Sequence, residues 1–169
     1  MRDTLTVDRP EQLKALGHPL RLRVLEELGA KTETLTNREL AQRLGVDPGH
    51  LHFHVRMLHK AGLIERAEGG QRREKPYRSA AKAIRVAPEL TSAGLSGGLH
   101  AAMLDEVQQA FTKFAERGRF RGAQVTVRLP LEKARELVRE FNAKLDEAED
   151  ESAGTLVFTT FFHPPSSTD

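Results

Sequence analysis

His50, His52, Phe53, Arg56 and Lys60 occupy one face of the stretch 48–61, opposite Leu51, Val55 and Leu58. The apolar set is spaced i, i+4, i+7, the repeat of a half-buried helix. The other face carries no nucleophile and no acid–base pair. It carries the donors that read a nucleic-acid groove. An arginine fork pairs with guanine O6 and N7, and an apolar group meets the thymine methyl. Arg56 and Phe53 suit those two roles. His50 and His52 donate or accept toward base edges or phosphates, and Lys60 supplies a phosphate contact. A plain solvated surface is the competing reading for each of them.

Two further groups extend this face. Gln71, Arg72, Arg73 and Lys75 lie in a turn opened by Gly69-Gly70 and closed by Pro76. Such a tip meets phosphates or an adjacent minor groove and adds salt-dependent affinity more than sequence choice. Asn37 and Arg38 open the preceding helix, where free amides and a cation hold a phosphate.

The elements that position these groups are legible from their punctuation. Pro10 suits a first helical turn, and a short helix over 11–16 ends at Gly17. Pro19 opens a second helix with Leu20, Val24, Leu25 and Leu28 inward, stopped by Gly29. Thr36-Asn37-Arg38-Glu39 is a capping box for a third helix running to Leu44. Gly45 breaks it. Asp47 caps the fourth helix and Pro48 sits at its first position. Gly62 closes that helix in left-handed backbone. Residues 63–68 and 77–81 read as a hairpin, its second strand continuing toward Val86. Residues 1–9 read as frayed, and 88–98, rich in Gly and Ser, as a linker.

Beyond the linker, 100–117 reads as a helix with Met103, Val107, Ala110, Phe111 and Phe114 along one side and Leu99 and Leu104 widening it. That breadth points to a partner chain. Residues 124–129 alternate as a strand, 131–148 form an amphipathic helix, and 155–162 read as a final strand, a β-α-β unit. Phe111, Phe114, Phe141, Phe158 and Phe162 are candidate lining for a small-molecule effector pocket. Core packing is the alternative for these rings.

Charge follows the same division. Net charge is +2, but residues 1–98 hold 17 Lys/Arg against 12 Asp/Glu, and 99–169 hold 9 against 12. Within 48–85 the balance is 9 against 3. A basic front and a mildly acidic back suit a polyanion-binding head on a different kind of tail. There is no cysteine, so disulfides, thiolate metal sites and cysteine nucleophiles are excluded. No Walker loop, nucleophile elbow or HExxH motif is present, and the chain is not expected to be an enzyme. His50 and His54 lie one turn apart, but no carboxylate on that face completes a ligand set. His54 reads as an interior-edge histidine and His18 as a helix-junction packing residue. No metal and no cofactor are expected. The start of the chain lacks an apolar signal core and no run is long enough to span a bilayer, so a cytoplasmic protein is expected.

The stretches LKALGHPLRLRVLEEL, LTNRELAQRLGVDPGHLHFHVRMLHKAGLIE and REKPYRSAAKAIRVAPEL together resemble the ArsR-type winged helix-turn-helix regulators. Ala15-Leu16-Gly17-His18-Pro19-Leu20-Arg21 and the run from His54 to Leu63 carry the likeness, which spans roughly residues 10–88. The tail is similar to an accessory module found on a subset of such regulators. The resemblance implies a homodimeric bacterial transcription regulator that binds a double-stranded DNA operator. The family's cysteine metal ligands are missing here. On the dimer helix, His100 and Asp105 are five residues apart and fall on different faces.

The expected fold is therefore α+β. A winged helix-turn-helix DNA-binding domain spans 9–87, a linker 88–98, and a dimerisation helix with a β-α-β module 99–163. The competing function is a winged-helix protein-interaction module without direct DNA readout.

Overall fold

The computed structural model describes residues 2–29, 34–68, 75–92, 94–150, 152–154 and 156–164. The expected tip residues Gln71, Arg72 and Arg73 lie outside these. The chain divides into two units, 1–112 and 113–169.

In the first unit, four helices start at a proline, a side-chain cap or both: α1 (Pro10–Leu16), α2 (Pro19–Gly29), α3 (Asn37–Leu44) and α4 (Pro48–Lys60). The Thr36 hydroxyl accepts from the Glu39 amide, and the Glu39 carboxylate accepts from the Thr36 amide at 2.7 Å. This capping box satisfies two donors that α3 would otherwise leave orphaned. Asp47 accepts from the His50 amide at 2.8 Å and does the same for α4. Between the two helices Gly45 takes φ +67°, a conformation that favours a residue without Cβ. The turn is therefore tight.

Val24, Leu28, Leu40, Leu51, Val55, Leu58 and Leu63 are completely buried and form the centre. Each fully buried aliphatic side chain contributes roughly 1.5–3 kcal/mol. This centre is built from the apolar stripes of α2, α3 and α4, so their angular order around it is fixed.

The hairpin is shorter than its sequence pattern. β2 (Ile64–Arg66) pairs antiparallel with β3 (Tyr77–Ser79), Glu65 facing Arg78. Arg78 and Glu65 form an exposed ion pair at 3.1 Å. Leu35, just before α3, bridges Tyr77 through two backbone hydrogen bonds of 2.8 and 2.9 Å. Helices plus this small sheet make a winged helix-turn-helix.

Residues 2–7, expected to be frayed, form a strand. β1 (Arg2–Val7) runs parallel to β4 (Ala81–Val86), with Leu5 opposite Ile84 and Val7 opposite Val86. Leu5 and Val7 are buried while Thr4 and Thr6 are exposed. The return strand breaks at Ala80, and β4 turns to a different partner.

The expected linker is also structured. α5 (Pro88–Ser92) is followed by α6 (Gly97–Phe114), which starts earlier than expected. A Cβ on Gly17 would lie 3.3 Å from the Gly98 carbonyl carbon. Glycine at these positions permits backbone-to-backbone approach of α1 and α6. It does not mark a flexible tether.

The second unit holds α7 (Leu131–Glu147). The strands expected at 124–129 and 155–162 are not formed among the described residues. The β-α-β expectation is corrected on that point. Alternation marks a segment that suits a sheet, but a strand needs a neighbour to satisfy its amides. No residue described between 113 and 164 is buried. No helix among the described residues is long and apolar enough to cross a membrane.

Val7→Ala removes two buried methyl groups from a fully enclosed position, at about 0.8 kcal/mol per buried carbon plus a cavity term. The expected loss is about 2 kcal/mol, read as a lower urea midpoint at unchanged slope. An unchanged midpoint would mean that residues 2–7 contribute nothing to the folded unit.

Candidate nucleic-acid interface

The burial of Leu51, Val55 and Leu58 turns the opposite face of α4 outward. His50, His52, Phe53, Arg56 and Lys60 are all exposed there. Phe53 is 62% exposed. The structure thus brings five of the sequence-predicted residues onto one face. Lys75, beside the tip of the wing, is exposed as well, and so is Arg38.

Asn37 has a different place. Its Nδ2 donates to the Pro48 carbonyl at 2.8 Å. That bond ties the first residue of α3 to the first residue of α4. It adds to the apolar packing that holds the two helices against each other.

A buried polar cluster lies at the inner edge of α4, where the sequence placed His54. His54 is only 4% exposed, on the side between the core stripe and the outward face. Its ring lies 4.4 Å from that of His18, 5.0 Å from His50 and, edge to face, 5.7 Å from Phe53. The Arg21 guanidinium reaches His54 Nδ1 at 3.4 Å. Arg21 is buried, and its other nitrogens donate to the carbonyls of Ala15 and Lys14. The His18 Nδ1 accepts from the Leu20 amide at 3.1 Å. One arginine and two histidines therefore fasten the end of α1, the start of α2 and the middle of α4 together. Because Arg21 donates, His54 Nδ1 accepts, and the ring is neutral with its proton on Nε2.

Sequence reasoning placed His54 half inward and His18 at a helix junction, but gave Arg21 no role. Its signal was present: Arg21 falls next to Leu20 on the inward side of α2, where a lone charge needs acceptors. Gln12 was missed too. It is buried, and it accepts from the Asp8 amide and donates to the Ala61 carbonyl at the end of α4. Arg23 donates to the Leu44 carbonyl at the end of α3.

Electrostatics follow the packing. Burial first, then His18, Arg21 and His50, pull the His54 pKa down to about 4. Burial, Arg21 and His50 also lower His18, opposed by Asp105. Glu26 on α2 moves the other way. Burial and the neighbouring Glu106 raise it to about 7 against the pull of Arg23. Among the described residues no group of three or more His, Asp or Glu is arranged to hold a metal ion.

The phenylalanines expected to line an effector pocket are on other elements. Phe111 on α6 is exposed. In the second unit, Phe141 and Phe158 meet edge to face at 5.8 Å, both exposed, as is Phe162. Phe114 has Lys113 and Arg119 over its ring at 5.2 and 5.6 Å.

Residues 16–67 match the family model described as a helix-turn-helix domain. The match runs from the end of α1 through α2, α3, α4 and β2. Among solved structures, the chain is similar to reduced HlyU from Vibrio cholerae N16961, with 24% identity over 49% of this chain and 77% of that one, TM-score 0.36. It is similar to Rv0081 of M. tuberculosis, with 21% identity over 63% and 88%, TM-score 0.36. It is also similar to the transcriptional regulator PA3341, with 21% identity over 76% and 79%, TM-score 0.34. No curated protein matches.

The histidine cluster makes stability depend on pH in a defined sense. The folded His54 pKa lies below the ordinary 6.5, so the unfolded chain takes up a proton between pH 6.5 and 4 that the folded chain refuses. Stability contributed by the neutral ring is present above that window and lost as pH falls through it. Glu26 acts oppositely, keeping its proton from 4.5 to about 7, so its contribution is lost as pH rises. The difference between wild type and His54→Gln isolates the first effect. The variant is expected to be less stable at pH 7.5, with the gap narrowing by on the order of 2 kcal/mol by pH 4. A gap that stays constant across this range in urea titrations would show that His54 does not titrate within the core.

Proposed function

We propose that the chain is a homodimeric, sequence-directed DNA-binding regulator of the ArsR type. In this reading α4 (with residues 48–61) enters the major groove, and the wing over 69–76 lies on the backbone or the adjacent minor groove. The observation that carries it is the outward face of α4: Arg56, His52, Phe53 and Lys60 exposed together on a helix whose other side is completely buried. A major groove ~12 Å wide admits such a helix. The helix-turn-helix match over 16–67 supports the same reading, as does the excess of Lys/Arg over Asp/Glu within 48–85.

The roles divide by chemistry. Arg56 pairs with a guanine edge. His50 and His52, near the start of α4, reach deepest, because recognition helices present their first turns to the bases. Phe53 meets a thymine methyl. Lys60, Lys75, Arg72, Arg73 and Gln71 hold phosphates, with Arg38 at the start of α3. Asn37 acts through the Pro48 carbonyl as a positioning residue. Two copies joined along α6, where Leu104 and Phe111 are exposed, would present two recognition helices ~34 Å apart, one turn of duplex.

Selection from a random duplex pool, followed by fluorescence anisotropy on the selected site, tests this. Arg56→Ala is expected to weaken specific binding by about 1–3 kcal/mol and relax the preference for guanine at one position per half-site. Lys60→Ala should weaken all sequences alike and reduce the slope of log K against log salt by about 1. Binding that ignores both substitutions would point to a protein-docking wing instead.

A further inference from the structure

The second unit has an amphipathic helix, two alternating apolar segments and no interior. Val125, Val127, Leu131, Leu137, Phe141, Leu156, Val157, Phe158, Phe161 and Phe162 are between 39% and 77% exposed. The polar side of α7 is already satisfied by its own ion pairs, Lys133 with Glu136 and Arg135 with Glu132. Its apolar stripe, centred on Leu137 and Phe141, meets Phe158 at one edge and stays 46% and 39% exposed at those two residues. A fragment with this composition and no core does not hold together in water by itself.

Two observations say what covers it. The first is area. Four of the ten are phenylalanines, which bury ~150–250 Å² each when enclosed. With the smaller aliphatic side chains, and with successive residues of an alternating segment on opposite sides, one face offers on the order of 500 Å² per copy, a large share of the ~800 Å² per partner in a standard interface. The second is charge. Lys113, Arg117, Arg119, Arg121 and Arg128, against Glu116 alone, make 113–128 basic. Asp146, Glu147, Glu149, Asp150 and Glu151 make 146–151 acidic. None of the described members of these two groups forms an ion pair among the described residues. In the sequence the two stretches lie on either side of most of α7.

We infer that the unit 113–164 is a self-association surface, completed by the same unit of a second copy packed antiparallel on the stripe of α7. A two-fold axis places the basic stretch of each copy on the acidic stretch of the other, twice over. Segments 124–129 and 156–162 gain in the pair the ladder partners they lack alone. This deepens the dimeric reading above, since it adds a second contact distinct from α6.

The test uses the full chain. Leu104→Asp with Phe111→Asp strips the apolar face of α6 at two exposed positions. This chain is expected to remain a dimer in sedimentation equilibrium, and to become a monomer when Leu137→Asp and Phe158→Asp are added. In the same background, one chain carries Arg117→Glu, Arg119→Glu and Arg121→Glu; another carries Glu147→Arg, Glu149→Arg and Asp150→Arg. Each is expected to be monomeric alone, and the two to form a heterodimer on mixing. A monomer after removal of the α6 face, or two charge-reversed chains that ignore each other, would overturn the inference. The latter includes the case in which the tail folds back on its own chain. Anisotropy on the selected duplex separates the two readings: a dimer that binds no DNA defeats only the proposed function, and a monomer whose head still binds a half-site defeats only this inference.

Discussion

Everything outward on α4 depends on what is inward. Leu51, Val55 and Leu58 are sealed against α2 and α3, and the helix has no freedom to roll about its axis. Rotation by one residue, about 100°, would expose at least one of these side chains at a cost of roughly 1.5–3 kcal/mol. The outward set is thereby presented as a rigid array. The proposed reading of base edges requires that rigidity, because a recognition surface works only when its groups are held in place.

Packing alone does not fix the tilt of the helix. That is done by a few hydrogen bonds that cross between elements. Arg21 and His54 fasten the middle of α4 to the α1–α2 junction, Gln12 holds its far end, and Asn37 holds its beginning. The Arg21–His54 contact is the least tolerant of these. A buried guanidinium is stable only while every acceptor around it is in place, and an imidazole that takes a proton ceases to accept. The outward histidine face and the inward one thus differ in kind. His52 contacts solvent and is available to a ligand. His54 is structural, although the two are only two residues apart.

The helices were legible in the sequence because their signals are local. A capping box, an N-terminal proline and a glycine after the last apolar residue each act within four residues, so α1 to α4 could be read one by one. β1 was not legible. Its partner begins at Ala81, and parallel pairing leaves no turn signature; the alternation of Leu5 and Val7 with Thr4 and Thr6 was the only trace. Gly98 misled for a related reason, since a close backbone approach and a flexible tether have the same composition. The outward face of α4 was visible from periodicity. The Arg21–His18–His54 fastening was not, because it joins residues 33 or more apart. In the tail, alternation suggested strands at 124–129 and 155–162 that do not form among the described residues, because alternation is a property of the segment and a ladder needs a neighbour.

The central claim is that α4 sits in a major groove, and methylation interference measures that most directly. On a duplex selected from a random pool, guanines are methylated at N7, which points into the major groove, and the bound and free fractions are compared. The account predicts that methylation of guanines in two short clusters, about one helical turn apart, excludes the duplex from the bound fraction. Binding that proceeds with every N7 blocked, or that is sensitive only to minor-groove adenine methylation, would contradict it.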